Sequence, residues 1–153
     1  MKIRALWVGK TRNAPLGKAI GDLSSRISHL APFQIDELRD VRNADDRKRT
    51  DQESRRLLQA IRPSDFVIAL DTKGKAYTSN GLARFIEKHM TENPKDLVFL
   101  IGGPAGLSPE VLDRADLKWS LSTLTFSHDL ARTMVMEQIY RALSIIKNLP
   151  YAR

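Results

Sequence analysis

The sequence predicts an α/β protein built around a parallel β-sheet, and three observations lead to that prediction. Short apolar runs alternate along the chain with segments of helical periodicity. Two of these runs, residues 66–70 and 97–101, are continuously apolar, which is typical of strands covered on both faces. The chain has 153 residues and no evident linker or repeat, so we expect residues 1–153 to form a single domain.

The first part of the chain reads as two strand–helix units. Residues 3–8 form an apolar run, and apolar side chains then recur at helical spacing over 16–30, after an N-cap signal at Asn13. Residues 33–38 alternate between apolar and polar side chains, as in a half-buried strand. A polar helix that mostly faces water is predicted over 45–61, because acidic residues open it and basic residues follow.

The second part contains the centre of the predicted sheet. The runs at 66–70 and 97–101 belong there, with a helical segment around 82–90 between them. A short helix starts at Ser108, and a long final helix starts at about His128. The broad apolar stripe of the final helix predicts burial on two sides, including against another subunit: Ala131, Val135, Ile139, Ala142 and Ile146, widened by Leu130, Met134 and Leu143.

Composition narrows the classes of partner. The chain carries 25 Lys and Arg against 18 Asp and Glu, a net charge of +7, which favours a polyanion such as nucleic acid. No stretch reaches the ~20 apolar residues that span a bilayer, and no export signal is visible, so we expect a cytoplasmic protein without a membrane partner. The absence of cysteine excludes disulfides, thiolate metal sites and a cysteine nucleophile.

A glycine-rich turn marks the candidate ligand site. Gly102, Gly103 and Gly106 directly follow a buried strand, where residues without Cβ let the backbone approach a ligand. Open α/β sheets bind ligands beyond the carboxyl ends of their strands. Leu70, Gly102 and the segment 120–126 should therefore meet at one edge of the sheet.

Other kinds of site find little support. Ile101 stands where the first glycine of a dinucleotide fingerprint should be, and no P-loop is present. The three histidines lack the spacing of metal ligands, so we predict no metal. The hydroxyls between 120 and 127 precede His128 and Asp129, but the nucleophile-elbow pattern is missing. These hydroxyls therefore more readily satisfy hydrogen bonds within a tight loop or to a ligand.

The final helix carries further polar candidates. We expect His128 to cap or flank the helix rather than to act as a base. Glu137 and Arg141 are one turn apart and can form a simple surface pair. Arg132 lies near the helix start, where a cation is unfavourable unless an anion is close, and an RNA phosphate would supply that anion.

Four stretches of the chain are far more specific together than the glycine turn alone. They are LIGGPAGLS at 100–108, WSLSTLTFSHDLAR at 119–132, EQIYRA at 137–142 and Pro150-Tyr151. With these stretches the chain resembles, over its whole length, the RlmH family, the 23S rRNA pseudouridine N3-methyltransferases of the SPOUT superfamily.

The resemblance implies a parallel-sheet SPOUT fold whose C-terminal part is tied into a trefoil knot, which is rare among proteins. It also implies a homodimer formed through the last helix and S-adenosylmethionine as the methyl donor. The residues that match the family's donor pocket are Leu70, Gly102, Gly103, Leu121, Ser122, Thr123, Leu124, Thr125 and Phe126.

For the acceptor, the resemblance implies a pseudouridine in 23S rRNA within the ribosome. Arg132, Tyr151 and His128 are then the catalytic candidates, and Arg132, Arg141 and Arg153 the RNA-binding ones. The family usually ends Pro-Tyr-His followed by a basic residue, whereas Ala152 replaces that histidine here. Any proton transfer assigned to it would pass to His128 or to solvent. Two alternatives stay open, a non-catalytic ribosome-binding module and a tRNA methyltransferase.

Overall fold

Five strands pair in parallel to form one sheet, with helices on both faces. The computed structural model describes residues 1–42 and 45–152. The strands are β1 (Ile3–Val8), β2 (Phe33–Leu38), β3 (Phe66–Ala76), β4 (Leu97–Leu100) and β5 (Leu117–Ser120). The helices are α1 (Ala14–Ser28), α2 (Asp46–Ala60), α3 (Ser79–Glu92), α4 (Pro109–Arg114) and α5 (His128–Ile146), followed by a 3-10 turn at Pro150–Ala152.

The strand order is β2-β1-β4-β3-β5. Phe99 of β4 pairs with Ala5 of β1 on one side and with Ile68 of β3 on the other. The two continuously apolar runs therefore lie inside the sheet, as predicted. Since the strands are parallel, all their carboxyl ends reach the same edge, where ligand sites form in such sheets.

Alternation along the strands builds two separate cores. Ala5 and Trp7 of β1 contribute to the core under α1, α3 and α5, whereas Leu6 and Val8 contribute to the core under α2 and α4. Helix α5 packs against both α1 and α3, and Ile139 near its middle is fully buried. The prediction of an α/β fold with a parallel sheet is confirmed.

Strand β3 is longer than its apolar run. It continues past Leu70 to Ala76, with a register shift between Leu70 and Lys75, both of which face Trp119 of β5. At Gly74 a Cβ would lie 2.6 Å from the backbone of Lys118, so only glycine lets the strands approach this closely. The predicted end of this strand at residue 70 is wrong, because the extension is polar and is held by pairing with β5.

The helix starts follow their sequence signals. The Asn13 side chain accepts a hydrogen bond from Leu16 N, and Asp45 caps α2 through Lys48 N. His128 is the first residue of α5, flanking the cap that Ser127 provides. None of the helices in the described part of the chain is both long and apolar enough to cross a bilayer. The trefoil knot stays a prediction.

Candidate functional site

A cavity of about 490 Å³ lies beyond the carboxyl ends of β4 and β5 and beside the middle of β3. Three segments form its wall: residues 70–72, the glycine turn and the segment that leads into α5. Its lining residues are Leu70, Asp71, Thr72, Ile101, Gly102, Gly103, Pro104, Gly106, Leu107, Leu112, Leu121, Ser122, Leu124, Thr125, Phe126, Ser127, His128 and Ala131.

The structure brings together eight of the nine residues assigned to a donor pocket, since the lining includes them all except Thr123. Thr123 is exposed. Sequence reasoning did not assign Leu107, Leu112 or Ala131 to the pocket, although all three line it. Leu107 precedes α4, Leu112 lies in α4 and Ala131 lies in α5. Only the tertiary fold brings these three residues to the cavity.

The glycine turn is compact for steric reasons. Gly106 adopts φ +74, and its N–H donates to the Gly103 carbonyl over 2.9 Å. A Cβ at Gly102 would lie only 2.9 Å from the Gly106 carbonyl carbon, closer than real side chains approach. The chain can therefore close this turn beside the cavity only with glycine at both positions.

Hydroxyls of the following segment are used within the loop itself. Ser120 Oγ donates to the Ser122 carbonyl over 3.0 Å, and Ser122 Oγ accepts from Leu124 N over 3.1 Å. These bonds hold the loop in shape and support the interpretation that its hydroxyls are structural rather than nucleophilic. Leu124 also lines the cavity, and its side chain is 66% exposed.

The first turn of α5 joins the cavity to the loop after β1. His128 lines the cavity, with Nε2 3.5 Å from Asp129 Oδ1. The other carboxylate oxygen of Asp129 accepts hydrogen bonds from the backbone N–H groups of Arg12 (3.1 Å) and Asn13 (2.9 Å). Asp129 thus ties the start of α1 to the start of α5.

Arg132 is buried beneath the loop after β1, and its assigned roles in catalysis and RNA binding stay predictions. Its side chain is 1% exposed and donates to the Val8 carbonyl over 2.8 Å, the Gly9 carbonyl over 3.0 Å and Thr11 Oγ1 over 3.2 Å. Asp129 Oδ1 lies 3.9 Å from its guanidinium. Carbonyl dipoles of the chain and the nearby Asp129 carboxylate therefore stabilise this cation near the helix start. Burial lowers the pKa of the Arg132 guanidinium, and Asp129 partly opposes that shift.

Arg141 and Tyr151 meet at Glu137, away from the residues that line the cavity. Glu137 Oε1 accepts from Arg141 Nη2 over 2.7 Å and from Tyr151 Oη over 2.8 Å, which confirms the predicted Glu137–Arg141 pair. Burial and the hydrogen bond to Glu137 raise the pKa of Tyr151. The Arg141 guanidinium lies 5.1 Å from the centre of the Tyr151 ring. Arg153 lies outside the described residues.

Glu53 of α2 is a neighbour of the glycine turn that sequence reasoning missed. Its Oε2 lies 3.5 Å from the point where a Cβ on Gly103 would stand. Burial raises the pKa of the Glu53 carboxyl, and Asp40 adds to that shift. No local signal distinguishes Glu53 in a helix rich in charged residues. Across the described residues, no three His, Asp or Glu side chains are grouped as metal ligands.

Comparisons with known proteins place the chain in a family. Residues 1–152 match the family model described as "Predicted SPOUT methyltransferase". Two relatives are named Ribosomal RNA large subunit methyltransferase H. The one from Parabacteroides distasonis is 39% identical over 154 residues, covering 99% of this chain and 98% of its own. The one from Trichlorobacter lovleyi is 40% identical over 151 residues, covering 99% of both.

Solved structures show the same fold at much lower identity. A probable methyltransferase from Bordetella pertussis Tohama I has a TM-score of 0.59 at 12% identity, covering 93% of this chain and 96% of its own. A probable methylase family protein from Haemophilus influenzae Rd KW20 has a TM-score of 0.56 at 11% identity, covering 95% and 68%. With the full-length family match and the relatives near 40% identity, these findings show that the chain belongs to the SPOUT methyltransferases and, among them, to the RlmH family.

Proposed function

We propose that this protein transfers the methyl group of S-adenosylmethionine to N3 of a pseudouridine in the 23S rRNA of the large ribosomal subunit. The observation that carries the proposal is the cavity in which the glycine turn meets residues 121–128, beyond the carboxyl ends of β4 and β5. The relatives' name, Ribosomal RNA large subunit methyltransferase H, supports the choice of RNA.

The cavity fits a nucleoside that carries a sulfonium group. Its volume of about 490 Å³ lies in the range of small-molecule sites. Leu70, Leu121 and Phe126 supply apolar surface for the adenosine, and the backbone of the glycine turn supplies polar groups. No Lys or Arg is found among the lining residues, whereas Asp71 adds a carboxylate, which suits a positively charged donor.

The reaction depends more on the correct positions of donor and acceptor than on chemical activation of the methyl group. A sulfonium already carries a good leaving group, so the protein's task is to align the acceptor nitrogen with the methyl group. The N3–H bond breaks, its proton passes to a base, and the nitrogen forms a bond to the methyl carbon while the S–CH₃ electron pair stays on sulfur. His128 lines the cavity and is the better placed of the two titratable candidates, since Tyr151 Oη already donates to Glu137.

A homodimer formed through α5 and action on ribosomes in the cytoplasm belong to the same proposal. Leu130 of α5 and Tyr151 of the C-terminal turn are 37% and 38% exposed. A partner subunit on this side would cover them and bring its own C-terminal residues near the shared interface.

One experiment tests the proposal. The protein is incubated with methyl-labelled S-adenosylmethionine and, separately, with assembled ribosomes, free large subunits and tRNA. Label in a large-subunit pseudouridine is the expected result. Label in tRNA, or ribosome binding without label, would contradict it. Calorimetric titration with the donor should show binding that Gly103→Trp weakens, because Gly103 lines the cavity and a bulky side chain there would disturb its wall.

A further inference from the structure

A second and larger cavity lies beside the first, at the carboxyl ends of β1 and β2. Its volume is about 1180 Å³, and it is lined by residues 9–12, by part of 37–42 and by Arg56 of α2. We call it the basic groove. Gly9 adopts φ +83 at the end of β1, which turns the following residues into this groove.

Cations dominate the lining of the groove. Lys10, Arg12, Arg39, Arg42 and Arg56 line it against two carboxylates. Both carboxylates already have partners. Glu37 accepts a hydrogen bond from the Trp7 indole N–H over 3.1 Å, and Asp40 accepts from Val41 N over 3.0 Å and pairs with Arg12 at 3.3 Å. The groove therefore keeps an excess of positive charge.

Three of these cations face solvent without a carboxylate partner. Lys10, Arg39 and Arg42 are exposed. Within the described part of the chain, none of the three takes part in a salt bridge. They come from two different loops, one after β1 and one after β2, and with Arg12 and Arg56 they line a groove of about 1180 Å³. A groove of this size with several cations suits a chain of phosphates better than a single small anion.

The groove and the donor cavity share a wall. His128 and Ala131 of α5 line the donor cavity, while Asp129 and Arg132 on the same turns hold residues 8–13, which lead into the groove. Glu53 provides a second connection. It lies next to Gly103 of the donor cavity, and the charges of Asp40 and Arg56, which line the groove, act on its carboxyl. A strand of RNA in the groove would thus pass directly beside the methyl donor.

From this placement we infer that the basic groove binds the phosphodiester backbone of the acceptor RNA. The inference rests on the proposed function, because it takes the partner to be RNA. The base to be methylated would then reach the donor cavity over the shared wall, while phosphates on either side of it contact Lys10, Arg39 and Arg42. Arg132, which is buried, supports the loop of the groove rather than the RNA.

The test compares two triple variants that lose the same charge. Lys10→Ala/Arg39→Ala/Arg42→Ala removes cations from the groove. The control, Arg84→Ala/Lys88→Ala/Lys95→Ala, removes three exposed cations from α3 and the turn after it. Binding of a fluorescein-labelled RNA stem–loop is followed by fluorescence anisotropy over a series of salt concentrations. Calorimetric titration with S-adenosylmethionine shows that each variant is folded.

The groove variant should raise the Kd for RNA about tenfold or more and lower the slope of log Kd against log salt by about 2, since about three phosphate contacts are lost. The control should stay within about twofold of the wild type. Equal losses in both variants, or no loss in the groove variant, would overturn the inference. So would a polyaspartate peptide that binds as tightly as RNA and is released by the same substitutions, because the partner would then be an acidic protein.

The proposed function fails separately from this inference. If the wild type binds RNA through the groove but labels no ribosomal pseudouridine, the methyl acceptor is wrong and the groove assignment stands. If the wild type labels the pseudouridine and the groove variant does so at the same rate and RNA affinity, the groove assignment is wrong and the function stands.

Discussion

The guanidinium of Arg132 lies 4.9 Å from the centre of the Trp7 ring, beneath the loop that connects β1 to α1. Trp7 is itself buried, and its indole N–H donates to Glu37 at the rim of the basic groove. Arg132 of α5 therefore supports the end of β1 and the loop after it and, through Trp7, contacts the β2 residue Glu37 indirectly. This arrangement makes Arg132 a structural link between the two cavities.

The first prediction is that replacing Arg132 lowers the free energy of unfolding. Arg132→Ala leaves the carbonyls of Val8 and Gly9 without their donor and removes the cation next to Asp129, and we expect a loss of about 3 kcal/mol in the free energy of unfolding. Urea denaturation measures this loss. Arg141→Ala, which breaks a partly exposed pair, should cost no more than about 1 kcal/mol. Unchanged stability with weakened RNA binding would instead assign Arg132 to the RNA interface.

The glycine turn gives a second prediction, on donor binding. Gly102→Ala places a methyl group 2.9 Å from the Gly106 carbonyl carbon, so the turn must open and the cavity wall must shift. Affinity for S-adenosylmethionine, measured by calorimetry, should fall about tenfold or more, since 1.4 kcal/mol corresponds to a factor of ten.

The matched control for that variant is Gly21→Ala on α1. No atom lies within 4 Å of a Cβ at Gly21, and alanine is the better helix former by about 1 kcal/mol. This substitution should leave donor affinity unchanged and raise the melting temperature slightly. A Gly102→Ala protein that binds the donor as tightly as the wild type would show that the turn does not shape the site.

Local patterns were sufficient to predict most elements. Residues 3–8 and 33–38 were assigned as strands with the bounds that the structure shows, because their apolar runs and flanking signals are local. The extension of β3 to Ala76 was missed, because its residues are polar and are held by β5, more than forty residues along the chain. No pattern within the segment itself reports such pairing.

In the site, too, some features can be predicted from the sequence, whereas others depend on contacts between distant residues. The parallel-sheet rule places Leu70, Gly102 and residues 120–126 at one edge, and the structure brings all of them except Ser120 and Thr123 to the lining of one cavity. The role of Arg132 could not be predicted, because Val8 and Gly9 lie more than 120 residues away in sequence. Position on a helix suggested an external anion, whereas the tertiary fold supplies internal acceptors.

The buried ion pair between Arg4 of β1 and Asp65 gives a third prediction. Arg4 is 4% exposed, and its Nη1 donates to Asp65 Oδ2 over 2.9 Å while its Nε donates to Asp36 over 2.7 Å. Asp65→Ala leaves this cation partly uncompensated and removes the acceptor for Arg62 N, so we expect a loss of about 3–5 kcal/mol in the free energy of unfolding. The exposed Asp113→Ala should change it by less than about 0.5 kcal/mol. If Asp65→Ala lowers the free energy of unfolding as little as Asp113→Ala does, the pair is dispensable.

The fourth prediction follows from the carboxyl of Glu53, because burial raises its pKa above the ordinary value of a glutamate. Asp40 reinforces the shift, and Arg49, Arg56 and Arg132 oppose it. In the folded protein the charged form is thus disfavoured, and it costs stability at every pH above the raised pKa. As the pH falls through that value the cost declines, and below the unfolded pKa it vanishes because Glu53 is protonated in both states.

Glu53→Gln should therefore raise the melting temperature at neutral pH, and its advantage over the wild type should shrink as the pH falls toward the ordinary range of glutamate. Thermal unfolding at a series of pH values measures the difference. Glu87→Gln, at an exposed position on α3, provides the control and should show no such trend. A Glu53→Gln protein that is less stable than the wild type at neutral pH would mean that the carboxylate makes a favourable contact with the nearby arginines that outweighs its desolvation, because the two effects have opposite signs.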